Sequence, residues 1–320
     1  HLAPTGLKFN NMHIADMEGH SGTLNGYLRF QHFKNINYRF EIQANNMLLM
    51  NTKESTDMPF FGTVYATGNA LLAGNAIQGL DVNLAMTTNR NTVFTYINGN
   101  VASAASTQFI KFVDKTPRRT IQDSIQIISY YEQLQQKRQE AEEEQKTDIR
   151  LNILVDATPD ATMKIIMDPV AGDYISGKGT GNIRTEFYNK GDVKMFGNYR
   201  ISQGIYKFSL QEVIRKDFII KDGSTITFNG APLDANMDIQ ASYTVNSASL
   251  NDLNPDVSSI AQQTNVRVNC IMNLSGILLR PTIKLGIELP NERDEIQTLV
   301  RNYISTEEQM NMQILYLLGI

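Results

Sequence analysis

The feature that most constrains this chain is an alternation of apolar and polar side chains with a period of two residues. It is visible at 23–32, 38–44 and 80–87, and it becomes stricter at 193–210, 237–245, 266–274 and 283–289. A β-strand points successive side chains to opposite faces, so each of these segments has one apolar and one polar face. The chain is therefore predicted to be all-β, with many half-buried strands.

Turn residues separate the alternating segments. Four combinations typical of tight turns occur, namely Asn98-Gly99, Lys190-Gly191-Asp192, Asp222-Gly223 and Asn229-Gly230. Turns of this kind join neighbouring strands that run in opposite directions. We therefore expect an antiparallel sheet that is rich in hairpins.

Two stretches have helical rather than strand periodicity. At 118–148, apolar residues recur at helical spacing from Ile121 to Leu134 and a densely charged run follows, which predicts an amphipathic helical insertion or linker. At 291–320, an apolar stripe and the capping-box pattern Ser305-Thr306-Glu307-Glu308 predict C-terminal helices. The chain is thus divided into an N-terminal β block at 1–117, the insertion at 118–148, a C-terminal β block at 149–290 and the helices at 291–320.

The apolar faces of the strands must be covered, and the predicted helices are few. Three architectures satisfy the alternation: a sandwich of two sheets, a membrane barrel with its apolar face outward, and a sheet curled around its own apolar trough. The absence of tryptophan and the helical stretches argue against the barrel. Periodicity alone leaves the sandwich and the curled sheet open.

Composition excludes several classes of function. The net charge is −4 with no basic stripe, so nucleic acid is not an expected partner. The single cysteine, Cys270, excludes an intrachain disulfide and a cysteine-rich metal site. The sequence has no signal peptide and no run of about 18 apolar residues. We expect the chain to be a segment of a longer protein.

The residues that could carry catalysis are poorly distributed for it. Asp16 and Glu18 lie near several histidines, which makes a metal site conceivable, but scattered surface histidines are the simpler interpretation. The four histidines are His1, His13, His20 and His32. Because no histidine follows, a serine or cysteine triad across the fold, as in a hydrolase, is not expected. We predict no enzyme activity, no metal site and no cofactor.

The glycine-rich stretch Ser176-Gly177-Lys178-Gly179-Thr180-Gly181 lacks the ending of a phosphate-binding loop. Its glycines fall on one strand face, which predicts a sharp bend or the close approach of another strand. Cys270 alternates with apolar neighbours and is predicted to be a buried small hydrophobe rather than a reactive thiol.

The second block carries an ordered series of motifs that resembles the conserved C-terminal domain of TamB-like proteins. Each motif alone is ordinary hairpin chemistry, and the order and spacing carry the resemblance. The series is Asp168-Pro169, Gly177-Lys178-Gly179-Thr180-Gly181, Phe196-Gly197-Asn198-Tyr199, Gly204-Ile205-Tyr206-Lys207-Phe208, Gly223-Ser224-Thr225-Ile226, Phe228-Asn229-Gly230-Ala231-Pro232-Leu233 and Ala241-Ser242-Tyr243. The stretch 291–319 resembles the helical part of that family.

The resemblance implies a long curved antiparallel sheet folded into a taco-like apolar trough. It also implies a periplasmic segment of a protein anchored in the inner membrane of a Gram-negative envelope. The implied function is outer-membrane biogenesis within the translocation and assembly module. This means carriage of phospholipid, as in bridge-like lipid-transfer proteins, or assistance to outer-membrane protein assembly. The implied partners are phospholipid, an Omp85-class outer-membrane barrel and nascent outer-membrane protein strands.

If the apolar face is concave, its side chains line the trough and contact a bound phospholipid or fatty acyl chain. The predicted lining is Ile153, Val155, Ile183, Val193, Met195, Tyr199, Tyr206, Phe208, Ile226, Phe228, Met237, Ile239, Tyr243, Val266, Val268, Met272, Ile283, Leu285 and Ile287. The alternative function is that of a structural or adhesive extracellular β-sandwich, with a dry, closed core and no lipid cargo.

Overall fold

The computed structural model of the protein describes residues 2–3, 6–31, 34–55, 58–75, 78–97, 147–169, 171–210, 214–254 and 265–319. The predicted helix between Ile121 and Leu134 lies outside these residues. The strands are β1 Leu2–Ala3, β2 Gly6–Ala15, β3 Ser21–Gln31, β4 Lys34–Thr52, β5 Phe60–Asn75, β6 Gly79–Thr88, β7 Val93–Ile97, β8 Ile149–Ala157, β9 Thr162–Asp168, β10 Asp173–Tyr188, β11 Lys194–Leu210, β12 Ile214–Ile220, β13 Ser224–Gly230, β14 Asn236–Ser249, β15 Asn265–Ile277 and β16 Arg280–Glu288. The helices are α1 Leu250–Leu253, α2 Asp294–Tyr303 and α3 Glu307–Leu318, with a 3₁₀ turn at Pro232–Asp234.

The described strands form one sheet, which confirms the all-β prediction and differs from the two sheets of a sandwich. Its main path is β1-β2-β3-β4-β5-β6-β8-β10-β11-β12-β14-β15-β16. Most neighbours are antiparallel, but β6 pairs with β8 and β7 pairs with β9 in parallel. A parallel pair needs a long connection in place of a hairpin, and residues 98–146 provide that connection between β7 and β8. The sheet is therefore mixed, and it joins the two predicted β blocks.

Three of the sheet positions are occupied by two short strands placed end to end. β6 and β7 both pair with β5, β8 and β9 both pair with β10, and β12 and β13 both pair with β11. The predicted hairpin at Asp222-Gly223 was wrong for this reason. Gly223, with φ of 91°, lies at a break after which the chain continues in the same direction along β11.

The strand breaks align into a transverse line across the sheet, which we call the crease. It consists of the breaks at 89–92, 158–161 and 221–223, together with the bulges at 44–50 in β4 and at Ser202 in β11, opposite 178–179 of β10. Bulges and breaks interrupt the hydrogen-bond ladder and let strands bend sharply. Gly179 lies on this line, and a Cβ there would come within 2.0 Å of the Arg200 carbonyl oxygen. The glycine-rich stretch therefore allows a close approach at the bend, as its spacing predicts.

A contact between Phe60 and Phe187 shows how far the sheet folds over at the crease. Pairing from Phe60 leads across β7 and β9 to Ile175 of β10, which is twelve residues before Phe187. In straight strands that offset would separate the two rings by about 40 Å. Their centroids are instead 5.4 Å apart. Because both residues belong to the apolar face, opposite ends of the strands meet across that face and enclose it.

The C-terminal helices form, as the sequence predicts, and they pack against the last strands. Ile296 and Val300 of α2 and Ile314 and Leu318 of α3 are buried in the main apolar cluster. Thr306 and Gln309 form a capping box at the start of α3, with the Thr306 hydroxyl accepting from the Gln309 N–H at 3.2 Å. Helix α3 contacts β14 and β16 and so covers one end of the sheet.

Candidate functional site, an apolar trough

The register of the strands joins their apolar faces into one continuous inner face. One transverse row runs from Leu24 through Ile42, Ala70 and Leu84 to Ile153, each directly opposite the next. The next row contains Phe40, Leu72, Val82 and Leu151. Leu24, Phe40, Ile42, Val82 and Leu84 come from segments whose alternation placed them on the apolar face. The inner face therefore extends over strands that are far apart in sequence.

The inner face of β2–β6 and β8, which we call the open section, is incompletely buried. Leu24, Ile42, Leu84 and Ile153 are all half-buried. Its buried apolar cluster is small and consists of Ala66, Ala70 and Met86. Aromatic rings at its edge contact one another, with Phe9 and Phe40 edge to face at 5.7 Å. This section presents apolar surface that the packing of the described residues leaves partly accessible.

The inner face of β9–β16, which we call the closed section, is packed as an ordinary core. Phe218, Ile226, Val268 and Leu278 have no exposed surface. The Tyr206 side chain is buried here. Its burial raises its pKa, and the negative charge of the nearby Asp173 raises it further. Side chains from the sheet and from α1, α2 and α3 form a single cluster. The closed section thus has most of its apolar surface covered by its own chain.

The structure brings all nineteen predicted lining residues to the inner face, at different depths. Six are half-buried, namely Ile153, Val155, Val193, Tyr243, Ile283 and Leu285. Thirteen are buried, namely Ile183, Met195, Tyr199, Tyr206, Phe208, Ile226, Phe228, Met237, Ile239, Val266, Val268, Met272 and Ile287. The buried residues belong to the closed section, and their contact with lipid stays a prediction.

The accessible inner residues of β3–β6 are missing from the predicted lining. Leu24, Ile42 and Leu84 belong to segments whose alternation is visible in the sequence, whereas Leu72 belongs to β5, which does not alternate clearly. The family resemblance is carried by motifs of the second block, and the predicted lining comes from that block alone. Treating every alternating segment equally would have included Leu24, Ile42 and Leu84.

Three phenylalanines, which we call the aromatic bridge, lie where the open and closed sections meet. Phe60 and Phe187 pack edge to face with an interplanar angle of 84°. Phe94 stacks on Phe60 with centroids 6.2 Å apart. Phe187 is buried and Phe94 packs against the main cluster, whereas Phe60 is half-buried. The bridge links the two rims of the folded sheet.

The Asp16 carboxylate joins the β2–β3 turn to the crease through hydrogen bonds. The Leu48 N–H, which lies in the β4 bulge, donates to Asp16 Oδ2 at 2.7 Å, and the His20 N–H donates to Oδ1 at 2.8 Å. The Tyr65 hydroxyl donates to the Glu18 carboxylate at 2.9 Å. Burial by itself would raise the pKa of Asp16. Hydrogen bonds from Leu48, His20 and Glu18 overcome this effect and hold the pKa well below 3.8.

The reactive side chains Cys270 and Asp173 are buried or hydrogen-bonded within the fold. Cys270 is fully buried, and burial raises its pKa to about 12. Burial also raises the pKa of Asp173, although the Ser209 N–H and hydroxyl donate to its carboxylate. Within the described ranges, no group of three or more His, Cys, Asp or Glu residues is arranged to hold a metal ion. None of the described helices is long and apolar enough to cross a membrane.

Comparison with known families identifies the chain. A comparison with curated proteins found no match. The family model of the TamB C-terminal domain matches residues 10–319, which include both sections of the trough, the crease and the C-terminal helices. The chain therefore belongs to the TamB family, through its C-terminal domain, and this membership supports involvement in outer-membrane assembly.

Proposed function

We propose that this chain is a periplasmic segment that holds phospholipid acyl chains in the open section during outer-membrane biogenesis. One observation carries the proposal. Leu24, Ile42, Leu84 and Ile153 are half-buried members of one apolar row that is continuous through the buried Ala70, whereas most of the inner face of the closed section is buried. An enclosed apolar face with accessible surface favours a ligand that is itself apolar.

The energetics fit an acyl chain. Burying one methylene group contributes about 0.8 kcal/mol, so a whole acyl chain would gain on the order of 10 kcal/mol before the cost of ordering it. The side chains of the half-buried row are all apolar. They can therefore contact the hydrocarbon of a lipid but offer no charge to its headgroup. The polar headgroup would remain at a rim of the trough, in water. The proposal contains no catalytic step.

Family membership supports two further proposed partners, an Omp85-class outer-membrane barrel and nascent outer-membrane protein strands. Among the described strands, β16 pairs with β15 alone and so lies at an edge of the sheet. An edge strand has backbone groups that can pair with a strand of another chain. Help with protein assembly is therefore our second candidate function. Anchoring of the parent protein in the inner membrane is part of the same proposal.

The proposal can be tested by native mass spectrometry and organic extraction of protein purified without detergent. We expect phospholipid to copurify in near-stoichiometric amounts. Leu84→Glu should abolish this, because it places a carboxylate on the inner face beside Ala70 and Ile153. Ala85→Glu is the matched control, since Ala85 is the next residue and lies exposed on the outer face.

Two results would count against the proposal. One is folded wild-type protein without lipid that also fails to take up phospholipid from vesicles. The other is equal loss of lipid in Leu84→Glu and Ala85→Glu, which would mean that charge or stability, and not the inner face, determines binding. Circular dichroism of both variants establishes that the sheet remains folded.

A further inference from the structure

We infer that the aromatic bridge of Phe60, Phe94 and Phe187 is the end wall of the open section and limits the length of acyl chain that it holds. This inference rests on the proposed function, since it concerns the ligand of the same trough. It assigns a selective role to three residues that the motif resemblance does not include.

The first step is the position of the bridge across the trough. Phe60 is the first residue of β5 at one rim, and Phe187 is next to the last residue of β10 at the other rim, beside Leu151. Their rings are in contact at 5.4 Å, so the two rims are joined by side chains at this point. Phe94, stacked on Phe60 at 6.2 Å, thickens the contact. A linear ligand that lies along the trough meets these rings.

The second step is the change in burial at the same place. Val155 of β8 is half-buried, whereas Ile183, its direct partner in β10, is 6% exposed. Beyond β10 the inner face belongs to the closed section, where residues such as Phe218 and Ile226 are completely buried. Beside Phe187, between β8 and β10, the inner face therefore changes from half-buried to buried.

The third step is the length that remains. The path β2-β3-β4-β5-β6-β8 contains five spacings between neighbouring strands. At about 4.8 Å for each spacing, the open section extends over roughly 24 Å. That distance is of the order of an extended fatty acyl chain. A trough that is closed by a wall at one end would select among acyl chains by their length.

The experiment measures binding of a series of saturated fatty acids, from lauric to arachidic acid, to detergent-free protein after delipidation. In wild-type protein, we expect the affinity to rise about fourfold with each added methylene until the chain reaches the wall, and then to level off. Phe187→Ala removes part of the wall. The chain length at which the affinity levels off should therefore increase, while the gain in affinity per methylene for short acids is unchanged. Phe60→Ala should give the same shift.

The matched control is Phe196→Ala. Phe196 is also a half-buried strand phenylalanine, but its ring lies on the outer face under the Arg184 guanidinium at 4.6 Å. This variant loses the same atoms without changing the trough, so its levelling point should equal that of the wild type. If Phe187→Ala does not fold, Phe187→Leu keeps an apolar side chain and still removes the ring.

The outcomes separate the two proposals. An unchanged levelling point in folded Phe187 and Phe60 variants would overturn the wall while leaving lipid binding intact. The same shift in Phe196→Ala would also overturn it, because the effect would then follow from loss of stability. Absence of fatty-acid binding by wild-type protein, together with absence of phospholipid, would contradict the proposed function itself.

Discussion

The hydroxyl groups of Thr88 and Thr158 lie 3.1 Å apart at the crease, and Thr158 makes two further hydrogen bonds to Thr88. Its N–H donates to the Thr88 hydroxyl oxygen at 2.9 Å, and its own hydroxyl donates to the Thr88 carbonyl oxygen at 2.9 Å. The two residues end β6 and follow β8, so the contact holds two broken strands side by side in parallel. Both breaks leave backbone groups outside the ladder, and the threonine side chains satisfy some of them.

Removal of this contact should weaken the sheet. We expect Thr88→Val to lower the free energy of unfolding by about 1–3 kcal/mol, because the part-buried Thr158 N–H loses its acceptor while the side-chain volume is kept. The midpoint of urea unfolding measures this change. Thr87→Val, one residue earlier on the exposed outer face, is the control and should be nearly neutral. Equal loss in both variants would argue against a specific role for the contact.

Gly179 should be intolerant of a side chain. A Cβ at this position would lie 2.0 Å from the Arg200 carbonyl oxygen, a backbone atom that cannot rotate away. We expect Gly179→Ala to destabilise the fold by about 1–3 kcal/mol or more. In Gly286→Ala, the new Cβ would lie 3.9 Å from the Ile271 side chain, which is ordinary contact. A thermal melt in which Gly286→Ala loses more stability than Gly179→Ala would contradict the close approach.

Asp16 should make the fold sensitive to acid. Its pKa is lower in the folded protein than the ordinary 3.8, so ionised Asp16 stabilises the fold above that pH. This stabilisation is lost as the pH falls through the folded-state pKa, when the carboxylate becomes protonated. We expect unfolding of Asp16→Asn to depend less steeply on pH below about 4 than unfolding of the wild type. Urea titrations at neutral and acidic pH provide the comparison, and identical slopes would rule out this role.

Cys270 should be inert in the folded protein. Its side chain is fully buried, and burial raises the pKa of the thiol to about 12, so the reactive thiolate is scarce at neutral pH. We expect no reaction with a water-soluble disulfide reagent until denaturant is added. Ser275→Cys, at an exposed position of the same strand, should react at once at the new thiol. Rapid labelling of Cys270 in native protein would show that the closed section opens.

Local alternation is sufficient to assign the two faces of the sheet. Alternation placed Ile226, Ile239 and Leu285 on the apolar face, and strand geometry fixes that assignment locally, because neighbouring side chains in a strand must point to opposite sides. The helices at α2 and α3 are also local, since an apolar stripe and the cap at Thr306 lie within a few residues of each other.

Which part of the apolar face is open depends on long-range packing in the tertiary structure. Leu84 and Ile239 have the same alternation, but Leu84 is half-buried while Ile239 is 1% exposed. The difference depends on residues distant in sequence, because the covering side chains of the closed section come from α1, α2, α3 and facing strands. The parallel pairing at Thr88 and the contact of Phe60 with Phe187 are long-range in the same way. Local periodicity specifies how a strand is turned, whereas burial depends on what packs over it, and that is determined only when the whole sheet folds.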